Sequence, residues 1–155
     1  MIKNILIFDL DGTTIDSSHR QATKADGTLD LNAWFKNATP DRIHDDTVLP
    51  LAQQMHKRCK AGDYTIICTA RTMQEADFEF LQEHGLCVDK IISRPKGDMT
   101  PDAELKAKQL SSLFNLKQFK NLNKVMFDDA ASVRSSLRKI GISVVHPNKI
   151  QERVA

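Results

Sequence analysis

Short apolar runs recur along the chain at Ile5 to Phe8, Tyr64 to Cys68, Lys90 to Ile92 and Val125 to Phe127, with a fifth at Ile142 to Val145. They are too short for ordinary helices and too continuously apolar for strands with one wet face, so each reads as a strand buried on both sides. Stretches with helical spacing lie between them. That alternation predicts an α/β chain built as a three-layer α/β/α sandwich, with a central parallel sheet and helices on both faces.

The helical stretches carry their own punctuation. Val48, Leu51, Ala52, Met55 and Cys59 repeat at helical spacing and Gly62 follows where a helix ends. Pro50 is tolerable there only near the first turn. A second helix is predicted from Gln74 to His84, stopped by Gly85, with Ala76, Phe80 and Leu81 inward. In the third, Thr100 caps, Pro101 takes the first position, and Leu105, Leu110 and Leu113 face the core. Val133, Leu137 and Ile140 mark the last, before Gly141. Between Ser17 and Asp46 the periodicity is weak, and only a short helix around Asn32 to Asn37 is read there.

Residues 1–155 are expected to form a single domain, with 14–46 as a small irregular insertion rather than a separate cap. The 22 Lys and Arg against 20 Asp and Glu give a net charge of +2, which announces no acidic partner. Cys59, Cys68 and Cys87 are odd in number and lack the C-x-x-C spacing of a zinc or redox site, so a reducing cytoplasm is the expected setting. The opening run meets Asp9 too soon to be a signal peptide or membrane span. The five histidines have no ligand spacing.

In open parallel sheets functional groups gather at the carboxyl ends of the strands, and these ends are chemically suggestive. The first strand runs into Asp9-Leu10-Asp11-Gly12-Thr13-Thr14. Two carboxylates two residues apart allow one to attack while the other handles protons. The second ends in Thr69-Ala70-Arg71, a hydroxyl and a guanidinium suited to phosphoryl oxygens. Lys106, on the third helix, is a compact cation that can offset nucleophile and phosphate charge. The fourth strand ends in Asp128-Asp129. So many carboxylates would raise each other's pKa values unless a hard divalent cation, magnesium above all, neutralised them. Taken singly, Asp-Gly is a common turn, Lys106 an ordinary helix lysine and Asp128-Asp129 a helix cap.

Together, in this order, the residues resemble the haloacid dehalogenase superfamily, whose four motifs read here as Asp9-x-Asp11-Gly12-Thr13, Thr69, Lys106 and Asp128-Asp129. The resemblance implies that superfamily's Rossmannoid fold and a magnesium-dependent phosphatase. Asp9 would form an aspartyl-phosphate, while Asp11 would protonate the leaving group and later activate water, with a pKa above that of Asp9. Thr69 and Lys106 would cradle the phosphate. Asp9, the backbone carbonyl of Asp11 and one or both of Asp128 and Asp129 would hold Mg2+; the sequence leaves open which of the pair touches it.

The stretch Arg94-Pro95-Lys96-Gly97-Asp98-Met99-Thr100-Pro101-Asp102 followed by Lys106 is similar to the phosphatase domain of phage polynucleotide kinase/phosphatase. That resemblance adds Arg20, Arg71 and Asp102 to Gly12 and Thr13 as substrate-binding residues, with Asp102 and Lys106 sharing a helix face as a mutual pair. It implies removal of 3′-phosphates from polynucleotide ends or of phosphate from nucleotides. No G-x-x-x-x-G-K-[ST] loop occurs, so the kinase half is absent. Trp34 and Phe35 are placed near the mouth, as base-stacking or packing residues. The intervals between motifs leave no room for a cap domain, which predicts a site open to solvent. A phosphatase of another small metabolite and a non-catalytic phosphate-binding module are the other readings.

Overall fold

The computed structural model describes residues 4–149. In chain order the elements are β1 (Asn4–Phe8), β2 (Ile15–Asp16), a 3-10 turn (Ser18–Arg20), α1 (Leu31–Lys36), α2 (Pro40–His44), β3 (Thr47–Val48) and α3 (Leu51–Lys60). They continue as β4 (Tyr64–Cys68), α4 (Glu75–Glu83), β5 (Lys90–Ile92), α5 (Asp102–Phe114), β6 (Asn123–Phe127), α6 (Ala131–Arg138) and β7 (Ser143–Val145). Five strands make one parallel sheet in the order β5-β4-β1-β6-β7.

The continuous apolar strands follow from burial on two faces. Ile5, Ile7, Ile66, Cys68 and Met126 pack with Leu110 of α5 and Leu137 of α6 on one side. Phe8, Ile67 and Phe127 pack with Leu51 and Met55 of α3 and Phe80 of α4 on the other. Each such side chain contributes about 1.5–3 kcal/mol on removal from water. Because helices after β1 and β4 cover one face and those after β5 and β6 the other, the chain changes sides between β1 and β6. A crevice opens there at the carboxyl ends of the strands.

Several boundaries differ from the sequence reading. Val48 belongs to β3, and α3 begins at Leu51, just after Pro50. In α5 the first helical residue is Asp102, with Pro101 in the cap position, while the Thr100 hydroxyl donates to Asp98 Oδ1 at 2.6 Å. That short Asp98–Thr100 turn competes with helix capping for the same side chain. Ile140 lies beyond α6 and is 42% exposed.

Residues 14–46 hold more structure than weak periodicity suggested. β2 pairs antiparallel with β3 and closes the base of the segment. Asp30 caps α1 by accepting from the Ala33 N–H, and Thr39 with Pro40 starts α2. A buried ion network ties the segment to the sheet. Asp46, 3% exposed, accepts from Arg20 Nε at 3.0 Å, Arg20 Nη2 at 3.0 Å and Arg71 Nη2 at 3.0 Å. Asp46→Ala leaves two buried guanidiniums short of an acceptor, so unfolding free energy should fall by about 3–5 kcal/mol in urea titration. A loss within about 0.5 kcal/mol, the size of an ordinary surface change, would show that the network does not hold the segment.

Candidate active site

Asp9 is the first residue beyond β1, and its N–H still reaches the Phe127 carbonyl at 3.0 Å, so the strand ladder fixes its position. The chain then turns sharply: the Leu10 carbonyl accepts from the N–H groups of Thr13, Thr14 and Ile15 at 3.1, 2.9 and 2.9 Å. Gly12 makes the turn at φ +78, in the left-handed region. A Cβ there would also overlap the Asp129 carboxylate. The Thr13 hydroxyl donates to Asp9 Oδ2 at 3.3 Å, and the Thr14 hydroxyl to the Asp9 carbonyl at 2.9 Å.

Opposite, β6 delivers Asp128, whose N–H donates to the Val145 carbonyl at 3.2 Å. Lys106, one turn into α5, places its ammonium between the two strand ends, 2.9 Å from Asp9 Oδ1 and 2.8 Å from Asp128 Oδ2. Asp9, Lys106 and Asp128 are all buried. Asp9, Asp128 and Asp129 each offer a carboxylate oxygen, and these oxygens lie within 4.8 Å of one another. Hard oxygen donors gathered in this way are able to hold a small divalent cation. Their electrostatics agree: burial, then the Asp128 charge, pushes Asp9 well above the usual carboxylate range, against the pull of Lys106. Burial and Asp128 also raise Asp129. Beneath them burial pushes the Cys68 thiol up to about 12, so it is a neutral packing group.

Asp11 belongs to a different neighbourhood. Arg71 Nη2 donates to its Oδ1 at 2.6 Å, Arg71 Nε to its Oδ2 at 3.0 Å, and the Ser17 hydroxyl to its Oδ1 at 2.6 Å. Burial alone would raise Asp11, but the Arg71 charge and these hydrogen bonds outweigh it and hold the carboxyl below its ordinary value. These surroundings push against the expected order, Asp11 above Asp9: burial and neighbouring carboxylates raise Asp9, while Arg71 lowers Asp11. Arg71 also donates from Nη1 to Asp77 at 2.8 Å, which with Asp46 makes three carboxylate partners.

A cavity of about 420 Å³ surrounds Asp9, Asp11, Lys106, Asp128 and Asp129. Ala70 rather than the fully buried Thr69 lines it; the Thr69 hydroxyl accepts from the Arg71 N–H at 3.0 Å. Asp102 lines the cavity too, yet does not pair with Lys106 as the helix spacing suggested. It accepts from Arg94 Nη2 at 2.7 Å instead. Arg20 lines a neighbouring cavity, pairs with Asp46 and lies over the Trp34 ring at 4.2 Å. Gln21, Thr23, Gly27, Leu29, Leu31 and Trp34 wall one side, so residues 14–46 partly cover a site that interval lengths alone had left open.

Sequence reading missed Asp46, Asp77 and Arg94 as organisers. Arg94 is 1% exposed and donates to the carbonyls of Ala70, Asp98 and Thr100 at 2.9, 2.9 and 2.6 Å. An arginine at a strand end beside a Pro-Lys-Gly loop was the available signal.

Among solved structures, a haloacid dehalogenase-like hydrolase from Streptococcus pneumoniae superposes with TM-score 0.65 at 13% identity, over 93% of this chain and 84% of that one. A chain of the Pnkp1/Rnl/Hen1 complex gives 0.64 at 20%, over 94% of this chain and 46% of that one. These likenesses are of fold, and the fold is that of the superfamily read from the motifs. The 5′-deoxynucleotidase of Escherichia phage T5 is 43% identical over 90 residues, which is 55% of this chain and 36% of that protein. A family model described as bacteriophage T5 5′-deoxynucleotidase matches residues 1–155. Matched along that whole span, the chain belongs to the bacteriophage T5 5′-deoxynucleotidase family.

Proposed function

We propose that this chain removes the 5′-phosphate from deoxynucleoside monophosphates, using magnesium and an aspartyl-phosphate formed on Asp9. The observation that carries the reading is the Lys106 ammonium held at 2.9 and 2.8 Å between Asp9 and Asp128, with Asp129 beside them, in a chain of a 5′-deoxynucleotidase family. Asp9, Asp128 and Asp129 would hold the ion, with the Asp11 carbonyl as a further ligand. When bound, magnesium neutralises carboxylate charge and aligns the phosphoryl group.

Asp9 Oδ attacks phosphorus, forming the acyl-phosphate bond as the bond to the 5′-oxygen breaks. Asp11 gives its proton to that departing oxygen. Water then attacks the acyl-phosphate, Asp11 takes the water's proton, and inorganic phosphate leaves with the Asp9 carboxylate restored. Arg71 favours the ionised form of Asp11, the form the second half uses. The approach of a phosphate dianion favours the protonated form needed in the first. Lys106 keeps Asp9 from repelling the incoming phosphate, Gly12 and Thr13 shape the turn beside it, and Thr69 fixes the Arg71 backbone through its hydroxyl. Residues 14–46 serve as a small cover within one domain.

Three outcomes test this. Asp9→Asn should keep its circular dichroism while kcat falls by about a thousandfold or more, and it should lose the hydroxylamine-labile phospho-enzyme trapped from wild type. Equal rates would remove Asp9 as nucleophile. Chelation with EDTA should abolish turnover and added Mg2+ restore it; undiminished turnover after exhaustive chelation would remove the metal from the scheme. In a panel, deoxynucleoside 5′-monophosphates should exceed a 3′-phosphorylated oligonucleotide and simple sugar phosphates in kcat/KM by about tenfold or more. Faster release from the 3′-phosphorylated oligonucleotide would transfer the assignment to polynucleotide ends.

A further inference from the structure

Next to the catalytic cavity lies a second one of about 550 Å³ that the mechanism does not use. The two meet at Trp34, which lines both. The Asp11–Arg71 pair spans the same boundary, Asp11 lining the first cavity and Arg71 the second. Phe35, Met73 and Met99 give the second cavity apolar walls, and Lys96 and Thr72 lie on it as polar groups. Met99 is 52% exposed, a large apolar side chain left in water at the edge of an apolar hollow. Its loop is nonetheless fixed, because Arg94 holds the carbonyls on either side of it, those of Asp98 and Thr100.

We propose that this second cavity receives the nucleobase of the substrate, with Phe35 and Met99 as the residues that discriminate for it; the proposal rests on the deoxynucleotidase reading above. Because Trp34 borders both, the second cavity adjoins the one in which the phosphate would sit, the placement a base attached to that phosphate requires. The charge pattern selects a neutral ring over a second phosphate. Arg20 and Arg71 are already committed to Asp46, Asp11 and Asp77, leaving Lys96 as the cationic lining residue without a carboxylate partner among the described residues. Asp77 is likewise occupied, accepting from Arg71 and from the Gln74 N–H. What remains is two aromatic rings, Trp34 and Phe35, and two thioethers, which suit the flat π-face of a base, with Lys96, Thr72 and Gln74 for its polar edge.

The test compares a deoxynucleoside 5′-monophosphate with 2-deoxyribose 5-phosphate, which keeps the sugar and phosphate and lacks the base. For Met99→Glu and Phe35→Ala, the ratio of kcat/KM on the nucleotide to that on the sugar phosphate should fall by about tenfold, mainly through KM. Met99 is exposed, so its substitution leaves the core intact even if Phe35→Ala folds poorly. Free deoxynucleoside should inhibit wild type competitively and Met99→Glu more weakly. If wild type prefers the nucleotide and both ratios stay at the wild-type value, the base binds elsewhere and the proposal fails while the deoxynucleotidase reading stands. A parallel fall on both substrates would mark the residues as structural and overturn it equally. If wild type cleaves an aryl phosphate but no nucleotide, the deoxynucleotidase reading itself fails and takes the proposal with it.

Discussion

A buried ammonium between two buried carboxylates is the constraint on which the molecule is organised. Removing Lys106, Asp9 and Asp128 from water costs several kcal/mol per ion, and only close, well-aligned pairing offsets that. The pairing needs β1 and β6 adjacent and in register, with Phe8 opposite Phe127 so that Asp9 and Asp128 emerge side by side. It also needs α5 to cross the sheet so that its first turn overhangs their ends. The aliphatic stem of Lys106 runs through packed core while its head meets the acids, and both acids outweigh burial in keeping the ammonium protonated. Burial first, and then the charge of neighbouring Asp128, raise both Asp9 and Asp129, and three carboxylates beside one lysine leave negative charge that a divalent cation could offset.

The two aspartates of the first motif are two residues apart and belong to opposite electrostatic worlds. Asp9 shares its surroundings with Asp128 and Asp129 and is pushed up, whereas Asp11 shares its own with Arg71 and Ser17 and is pushed down. The Gly12 turn achieves this separation: by reversing the chain immediately after Asp11 it sends the second carboxylate toward the end of β4 and the 14–46 segment. Two like groups with divided environments are what a reaction with separate nucleophile and proton carrier requires. The Asp129 carboxylate also occupies the place of a Gly12 Cβ, so a side chain there would have to displace it in addition to bearing the strain of φ +78.

Much of this was legible in the residues. Strands covered on both faces must be apolar throughout, so the five runs from Ile5 to Val145 announced the sheet, and the acids immediately following two of them announced the crevice. Local caps were harder to weigh, because Thr100 had two partners to choose between and took Asp98. The Arg20–Asp46–Arg71–Asp77 network was not legible. Its partners lie 26 and 25 residues apart for Arg20–Asp46 and Arg71–Asp46, and nothing periodic links them. Spacing on one helix pointed to an Asp102–Lys106 pair. It failed because each residue found a better-placed partner off the helix, Arg94 for one and the two strand-end acids for the other.

The two cations at the heart of the structure are not interchangeable, and their geometry says why. Arg71 serves three carboxylates at once, Asp11 through Nε and Nη2, Asp46 through Nη2 and Asp77 through Nη1, which takes a planar fork with donors pointing in several fixed directions. A lysine there would reach one or two of them and strand the rest without solvent. Lys106 has the opposite task. Its site is narrow, roofed by the two strand ends, and asks for a compact charge that two oxygens can share at 2.9 and 2.8 Å. A guanidinium is larger and spreads its donors over a planar fork, which two oxygens converging on one nitrogen do not match. Thus the fork holds the 14–46 segment and Asp11 in place, and the point charge sits between the two strand-end acids.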